Sequence, residues 1–526
     1  FLRYGLTDAF EIGTVESTES EGGITNDAII SGLDPATIYR VQGYSVAEGD
    51  TSFTQPMYVS TTSLNSTGEV NVYFNQSVDN SLTQLTQAQS NVTLQNKLMN
   101  RIDDAQHSID ICFYSLSGTP GDDIADRLLA AKTRGVKIRA IFETDNSNTN
   151  AIGLLRNNVP AIVDNFDKTN AGAGLMHNKF VVIDARDRSS DTDDWVIMGS
   201  WNPTEPGSRN DAQNVVEIQD QALATAYTRE FEEMWGSSTD TPSSGTSRFG
   251  ARKLDNTPHL FYIGDAPRIP MELYFSPSDH MTARLVEVIG EAQHSLYFAT
   301  LTFTRDDVAR ALADRHDDGL PVRGLMDNDS DQGNEFAYLQ SRGVDVLLAK
   351  GLSGMLHHKY LLIDAELRGD ARDSRVVTGS HNWSNSAEFS NNENTLIIHD
   401  RMIAEQYLQE WYTRYKASGG TGEIVLSVGA ISGAPTRFAI SSVYPSPLTK
   451  PRSTVLSMEL EVTRPGALTL TLTDVLGRSW HVESTGELSP GMHHIRIPVN
   501  TIPAGTYMLS ASDGTQRGSV KIMIQR

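Results

Sequence analysis

Short apolar runs alternate with longer amphipathic stretches between residues 70 and 416, and the order of these runs repeats once. The apolar runs at 109–116 and 296–303 are too short for helices and read as buried strands. Each leads into a stretch whose apolar residues recur every three or four positions, such as Ile124, Leu128 and Leu129, which predicts a helix. Strand-like runs follow at 136–141 and 322–326. Each half closes on an amphipathic helix, with apolar faces Leu223, Tyr227, Phe231, Met234 and Ile403, Tyr407, Trp411, Tyr415. Strands alternating with helices predict an α/β layered core built from two related halves, 70–236 and 253–416. The repeat is visible in the letters as well: Val72-Tyr73-Phe74 is echoed by Leu273-Tyr274-Phe275, and Ala105-Gln106-His107-Ser108 by Ala292-Gln293-His294-Ser295.

The flanks have a different rhythm. Residues 1–63 and 436–526 show short alternating strands broken by turn residues, so all-β sandwich modules are expected on either side of the core. Polar stretches at 60–68 and 419–435 read as linkers, and the Ser/Thr/Gly-rich stretch 236–250 as a flexible connector between the halves. A length of 526 residues, with 39% hydrophobic and 21% charged, fits such a multidomain globular chain. No run of about 18 apolar residues is present to span a membrane. The chain opens on Phe1 with no signal-peptide pattern, so a start part-way through a longer protein is expected.

Charge narrows the function. The net charge of −23 divides into −7 for residues 1–63, −19 for 64–435 and +3 for 436–526. An acidic catalytic region repels polyanions at long range, which counts against tight non-specific nucleic-acid binding at low salt. The single cysteine, Cys112, lies in an apolar run and reads as a buried small hydrophobe.

The chemistry is carried by a duplicated motif. His177-Asn178-Lys179 is followed by an apolar run and Asp184, and His357-His358-Lys359 by an apolar run and Asp364. Downstream stand Gly199-Ser200-Trp201-Asn202 and Gly379-Ser380-His381-Asn382, and every pair is offset by 180 residues. In a strand, positions i and i+2 share a face, so each His and Lys point the same way. Ser200, Asn202, Ser380 and Asn382 are candidates to reach the same pocket. Two halves face to face would set two imidazoles and two ammonium groups around one phosphate. Phosphodiester cleavage needs that set: a nucleophile, an acid for the leaving oxygen, and donors for the remaining oxygens.

These features resemble the paired His-Lys-Asp motifs of the phospholipase D superfamily, over about residues 70–416. The resemblance implies one site at a pseudo-twofold interface, a phosphohistidine intermediate and no metal or other cofactor. It implies catalytic roles for His177, Lys179, His357 and Lys359, with Asp184 and Asp364 as supporting members, and a phosphodiester substrate, nucleic acid or phospholipid. A nuclease-like hydrolase is the first expectation and a phospholipase D acting on head groups the alternative. An adhesion protein with a vestigial core is the reading from another class. In related enzymes a Glu at the position of Glu393 hydrogen-bonds the catalytic His, and the first half has Gln213 there. Placing each beside the His of its own half predicts that His357 is charged and acts as acid while neutral His177 attacks; a Glu partner also improves a nucleophile, so the reverse assignment stays open. His358 and His381 are expected to line the cleft as bystanders. An internal pseudo-dimer predicts a monomer.

The flanks carry resemblances too. Residues 1–63 resemble part of a fibronectin type III module, with Tyr39 at its tyrosine corner. Residues 436–526 resemble the sorting domain of bacterial type IX secretion. The matching segments are Tyr444-Pro445-Ser446-Pro447, 472–478 and 502–507. That implies an export-machinery partner and a secreted or cell-surface bacterial protein.

Overall fold

A computed structural model describes the chain except residues 20–25, 48, 81–85, 168–173, 188–189, 265–267, 367–373, 425–437, 445–447, 450–454, 465, 475–476, 486–487, 489–490, 500–501 and 526. It divides into two compact units, Phe1–Leu426 and Ser427–Arg526.

Within the first unit, each half is built on one mixed sheet. The first runs in the order Ala161–Val163, Lys137–Phe142, Ser108–Phe113, Lys179–Ile183, Trp195–Gly199, Asn214–Gln219, Val70–Phe74. The second repeats it as Asp345–Leu348, Val322–Met326, Leu296–Thr300, Lys359–Ile363, Arg375–Gly379, Glu393–His399, Ile269–Ser276, and adds Leu260–Ile263 at the edge. Ser108–Phe113 and Leu296–Thr300 are parallel to their outer neighbours, Trp195–Gly199 and Arg375–Gly379 are antiparallel to theirs, and the central Lys179–Ile183 and Lys359–Ile363 are antiparallel to both sides. Every residue of both central strands is buried, which explains their uninterrupted apolar sequence. The closing helices are Gln221–Trp235 and Arg401–Ala417, started by the side chains of Asp220 and Asp400, which accept from Leu223 N (3.0 Å) and Ile403 N (2.8 Å). All eight apolar residues assigned to their faces are buried.

Aromatic side chains join the halves. Tyr227 packs edge-on against Phe180 (5.1 Å between ring centroids) and Phe275 (5.2 Å). Tyr407 does the same to Tyr360 (5.2 Å) and Phe74 (5.1 Å). Each trio takes two rings from one half and one from the other. Every ring is at most 1% exposed, and each buried aromatic contributes about 1.5–3 kcal/mol.

Two connecting stretches are more built-in than their composition predicts. The 236–250 stretch is packed rather than loose: Ser247 and Phe249 are fully buried, and Ser247 Oγ donates to Met234 O (2.7 Å). The 60–68 linker straps onto the first half, with Asn65 and Ser66 bound to Asp191 and Thr67 to Gln219. Among the described residues no helix is long and apolar enough to cross a membrane.

Residues 1–63 form a five-stranded antiparallel sheet around Ile38–Ala47. The Tyr39 hydroxyl accepts from Asp34 N at 2.9 Å. The second unit holds a three-stranded and a five-stranded sheet over a shared apolar core that includes Leu456, Leu472 and Leu509. Pro445, Ser446, Pro447, Val475 and Leu476, which belong to its quoted motifs, lie outside the described residues.

Candidate active site

His177 and His357 sit just before the two central strands, and Lys179 and Lys359 are the first residues in them. The alternation of the strand puts the residues between them on the opposite face. Asn178 turns toward Met234 Sδ, and His358 turns into the core, against Asn214 (2.9 Å) and Glu410 (3.2 Å). The expectation that His358 lines the cleft is therefore corrected: it is 0% exposed on the core face. His381 is also buried, beside Glu388 at 3.5 Å.

Each motif is held by three bonds from its backbone N–H groups, two to the other half and one within its own. Leu175 N donates to Asn391 Oδ1 (3.0 Å), Met176 N to Glu143 Oε2 (2.5 Å) and His177 N to Asn392 O (3.0 Å). The second copy repeats the set: Met355 N to Asp211 Oδ1 (2.9 Å), Leu356 N to Asp327 Oδ1 (2.7 Å) and His357 N to Ala212 O (3.0 Å). Sequence reasoning missed Glu143, Asp327, Asp211 and Asn391 in this role. Their equivalence shows only when the repeat is laid on the sheet, because the two copies use different residue types.

The His partners are crossed. Glu393, from the second half, holds His177 Nδ1 of the first at 2.7 and 2.9 Å. Gln213 Oε1, from the first half, holds His357 Nδ1 of the second at 2.9 Å, with Ser200 O at 3.1 Å. This overturns the expected pairing within each half. Glu393 begins a strand two places away from the one carrying His357, about 10 Å along the sheet, whereas His177 reaches it across the interface. Two oxygens, Ser200 O and Gln213 Oε1, face Nδ1 as acceptors, and the one donor nearby, Lys359 Nζ at 3.2 Å, gives its shorter bond to His357 O, which assigns the His357 proton to Nδ1. The carboxylate does the same for His177. The lone pair of each neutral ring is then on Nε2.

Ser200 and Ser380 serve the dyads rather than a phosphate. Ser200 Oγ donates to Gln213 Oε1 (2.8 Å), and Ser380 Oγ to Glu393 Oε2 (2.6 Å). Each Oγ also accepts from the next strand, from Asn214 N and Asn394 N. Close approach demands glycine just before each serine: a Cβ on Gly199 would lie 2.3 Å from Asn214 O, and one on Gly379 2.1 Å from Asn394 O. Asn202 and Asn382 stand half-buried beyond these turns, each with a side-chain oxygen that is buried without a hydrogen-bond partner.

Asp184 and Asp364 are not at the reacting centre. Seven residue steps of largely extended chain separate each from its His, about 23 Å. Asp184 accepts from the backbone N–H of Gln106 (2.9 Å), His107 (2.7 Å) and Ser108 (2.9 Å), and Asp364 from Gln293 (3.0 Å), His294 (2.6 Å) and Ser295 (2.9 Å). Both adopt left-handed backbone, φ 61° and 52°, which Asp tolerates. Both act as anchors between the motif strand and the loop before the neighbouring strand, which also explains why Ala-Gln-His-Ser recurs.

Burial governs the site's electrostatics. It pushes His177 down to about 4, a shift that Glu393 partly offsets. Burial also takes Lys179 down to about 7, again against the pull of Glu393. His357 and Lys359 are driven well below their usual values by burial and by neighbouring cations, Lys359 first for His357 and Lys179 for Lys359. Burial alone would raise Glu393, but His177 and Lys179 overcome it and hold the carboxylate below its ordinary range. A bound phosphodiester anion supplies the missing opposite charge and favours the protonated forms.

Residues 98–235 and 285–414, just over half of the chain, match a family model described as cardiolipin synthase, PLD-like domain. Each matched stretch contains one complete His-x-Lys motif with its Asp and its Gly-Ser-x-Asn. The chain belongs to the phospholipase D-like family. Among curated relatives in this family, a mitochondrial cardiolipin hydrolase from Xenopus tropicalis is 36% identical over 136 residues, covering 26% of this chain and 60% of its own length. A phospholipase D from Rickettsia prowazekii is 30% identical over 168 residues, covering 31% of this chain and 78% of its own. The solved phospholipase D family member Nuc from Salmonella typhimurium is 23% identical, with TM-score 0.25, over 30% of this chain and 98% of its own.

Proposed function

We propose that this protein hydrolyses phosphodiester bonds through a phosphohistidine on His177. The observation that carries the reading is the crossed pair of dyads. In the first step, His177 Nε2 forms an N–P bond while the P–O bond to the leaving alcohol breaks, and protonated His357 gives its proton to that oxygen. Positive charge therefore leaves His357, beside neutral Gln213, and develops on His177, beside the Glu393 carboxylate. The carboxylate stabilises the transition state more than the ground state, which is what accelerates the step. In the second step, His357 takes a proton from water, the resulting hydroxide attacks phosphorus, and the P–N bond breaks. Lys179, Lys359, Asn202 and Asn382 are the donors for the phosphoryl oxygens. His177 thus keeps the nucleophile role expected from the sequence, for the opposite electrostatic reason.

The −19 charge of residues 64–435 and the lipid-directed names of the curated relatives favour a phospholipid head group as substrate. A nuclease-like activity ranks second. The test is turnover of phosphatidylcholine, cardiolipin, plasmid DNA and bis(p-nitrophenyl) phosphate, with and without EDTA, by wild type, His177→Asn and His357→Asn. Acid-quenched enzyme should carry label on the peptide containing His177. Label on the His357 peptide would reverse the roles, and absence of turnover on all substrates would favour a binding protein with a vestigial core.

The flanking modules extend this reading. The Tyr39–Asp34 bond is the contact a fibronectin type III-like tyrosine corner makes, and it supports a surface-associated module. The two-sheet second unit suits a sorting-like domain, and hence an exported bacterial enzyme. Fractionating cells that express the chain with and without residues 427–526 tests that part. Unchanged location on truncation would remove it.

A further inference from the structure

The duplicated site is not duplicated at one wall. Tyr114 and Leu301 follow the equivalent strands Ser108–Phe113 and Leu296–Thr300. Tyr114 N donates to Asn178 O (3.1 Å) and Leu301 N to His358 O (3.0 Å), so the two residues hold the same place beside their motifs. Only the first is aromatic. Its half-buried ring meets His177 edge-on, with centroids 4.7 Å apart at 67°, and Lys179 Nζ lies 5.0 Å from the ring centroid.

We infer that Tyr114 is a positioning residue that keeps Lys179 charged and fixes the His177 ring, so that the anion is captured first by the first half. This rests on the phosphohistidine reading above. An aromatic face is electron-rich and attracts a cation, most strongly where water is excluded. Lys179 is 2% exposed, so little water competes. The other groups that act on it are few. Glu393, across the interface, favours its charge, and Cys112, on the neighbouring strand, does so to a lesser degree. Its charge is felt in turn by His177, His357 and Lys359. Lys359 has Leu301 where Lys179 has Tyr114.

The test copies the second half into the first. Binding of dimethyl phosphate to the free enzyme draws on a charged Lys179, so the alkaline limb of its pH–affinity profile follows that amine near 7. In Tyr114→Leu the alkaline limb should move down by about one pH unit, with a rise in KM at pH 7. Tyr114→Phe keeps the ring face and should keep the limb, and Leu301→Tyr should leave it in place. A Tyr114→Leu limb identical to wild type, or an equal shift in Tyr114→Phe, would overturn the inference. Thermal melts of Tyr114→Leu and Tyr114→Phe separate loss of fold from loss of charge. If wild type turns over no phosphodiester, the functional reading fails. If wild type shows the limb and Tyr114→Leu does not shift it, only the role of Tyr114 fails.

Discussion

Replacing Glu393 by Gln removes a charge while keeping an oxygen for His177 Nδ1, and so isolates the electrostatic part of the dyad. The second half shows that the fold accepts this arrangement: Gln213 Oε1 receives both His357 Nδ1 (2.9 Å) and Ser200 Oγ (2.8 Å). With the carboxylate 2.7 Å from Nδ1, the charge centres are about 4 Å apart. At an effective dielectric of about 20, a full positive charge there gains about 4 kcal/mol. A half-developed charge in the transition state gains about 2 kcal/mol. Glu393→Gln should therefore lower kcat roughly 30- to 1000-fold, with a rise in KM at pH 7 because Glu393 also favours the charge on Lys179. Stopped and steady-state turnover of bis(p-nitrophenyl) phosphate measures this, with melting curves to confirm the fold. The reciprocal Gln213→Glu should lose less, because it stabilises a charge that the first step removes. A Glu393→Gln enzyme within about threefold of wild type would refute the charge-transfer account, as would a larger loss in Gln213→Glu.

Three further outcomes follow from contacts away from the reacting atoms. Asp364→Ala strips a carboxylate from three backbone N–H groups and should cost about 3–5 kcal/mol, seen as a melting temperature roughly 10 °C lower, with near-normal turnover by the molecules that remain folded. Asp194 is fully buried, and burial, then Asp193, pushes it up to about 8. The native state thus keeps a proton that the unfolded chain releases near 3.8, so stability falls as pH rises between those values. Asp194→Asn should flatten the melting temperature across pH 4–8, and an unchanged slope would count against the buried proton. Gly379→Ala places a Cβ 2.1 Å from Asn394 O, so it should abolish activity in a phosphodiesterase assay and lower stability.

Much of the core was legible because its signals are local. Two His-x-Lys pairs at a constant offset, each leading a run of apolar residues, specify a buried strand with both functional groups on one face. The closing helices were legible from apolar spacing alone. The strand boundaries shifted by only a few residues, as from 109–116 in the sequence reading to Ser108–Phe113 in the structure. The pairing of Glu393 was not legible. It lies 216 residues from His177, and only the packing of one half against the other brings the two together. The same holds for Glu143 and Asp327, whose carboxylates find the backbone of the motif through the order of strands in the sheet. The buried state of the 236–250 connector escaped for another reason: its Ser, Thr and Gly residues pack through backbone and hydroxyl bonds that composition does not reveal.

Crossed dyads make chemical competence a property of assembly. A half that folds alone presents its imidazole without the side chain that orients it, and its partner side chain without an imidazole to orient. The reactive geometry appears only when both halves have closed on each other. A newly made chain is therefore inert toward its substrate throughout folding, and one point lesion in either half disarms the machinery of both.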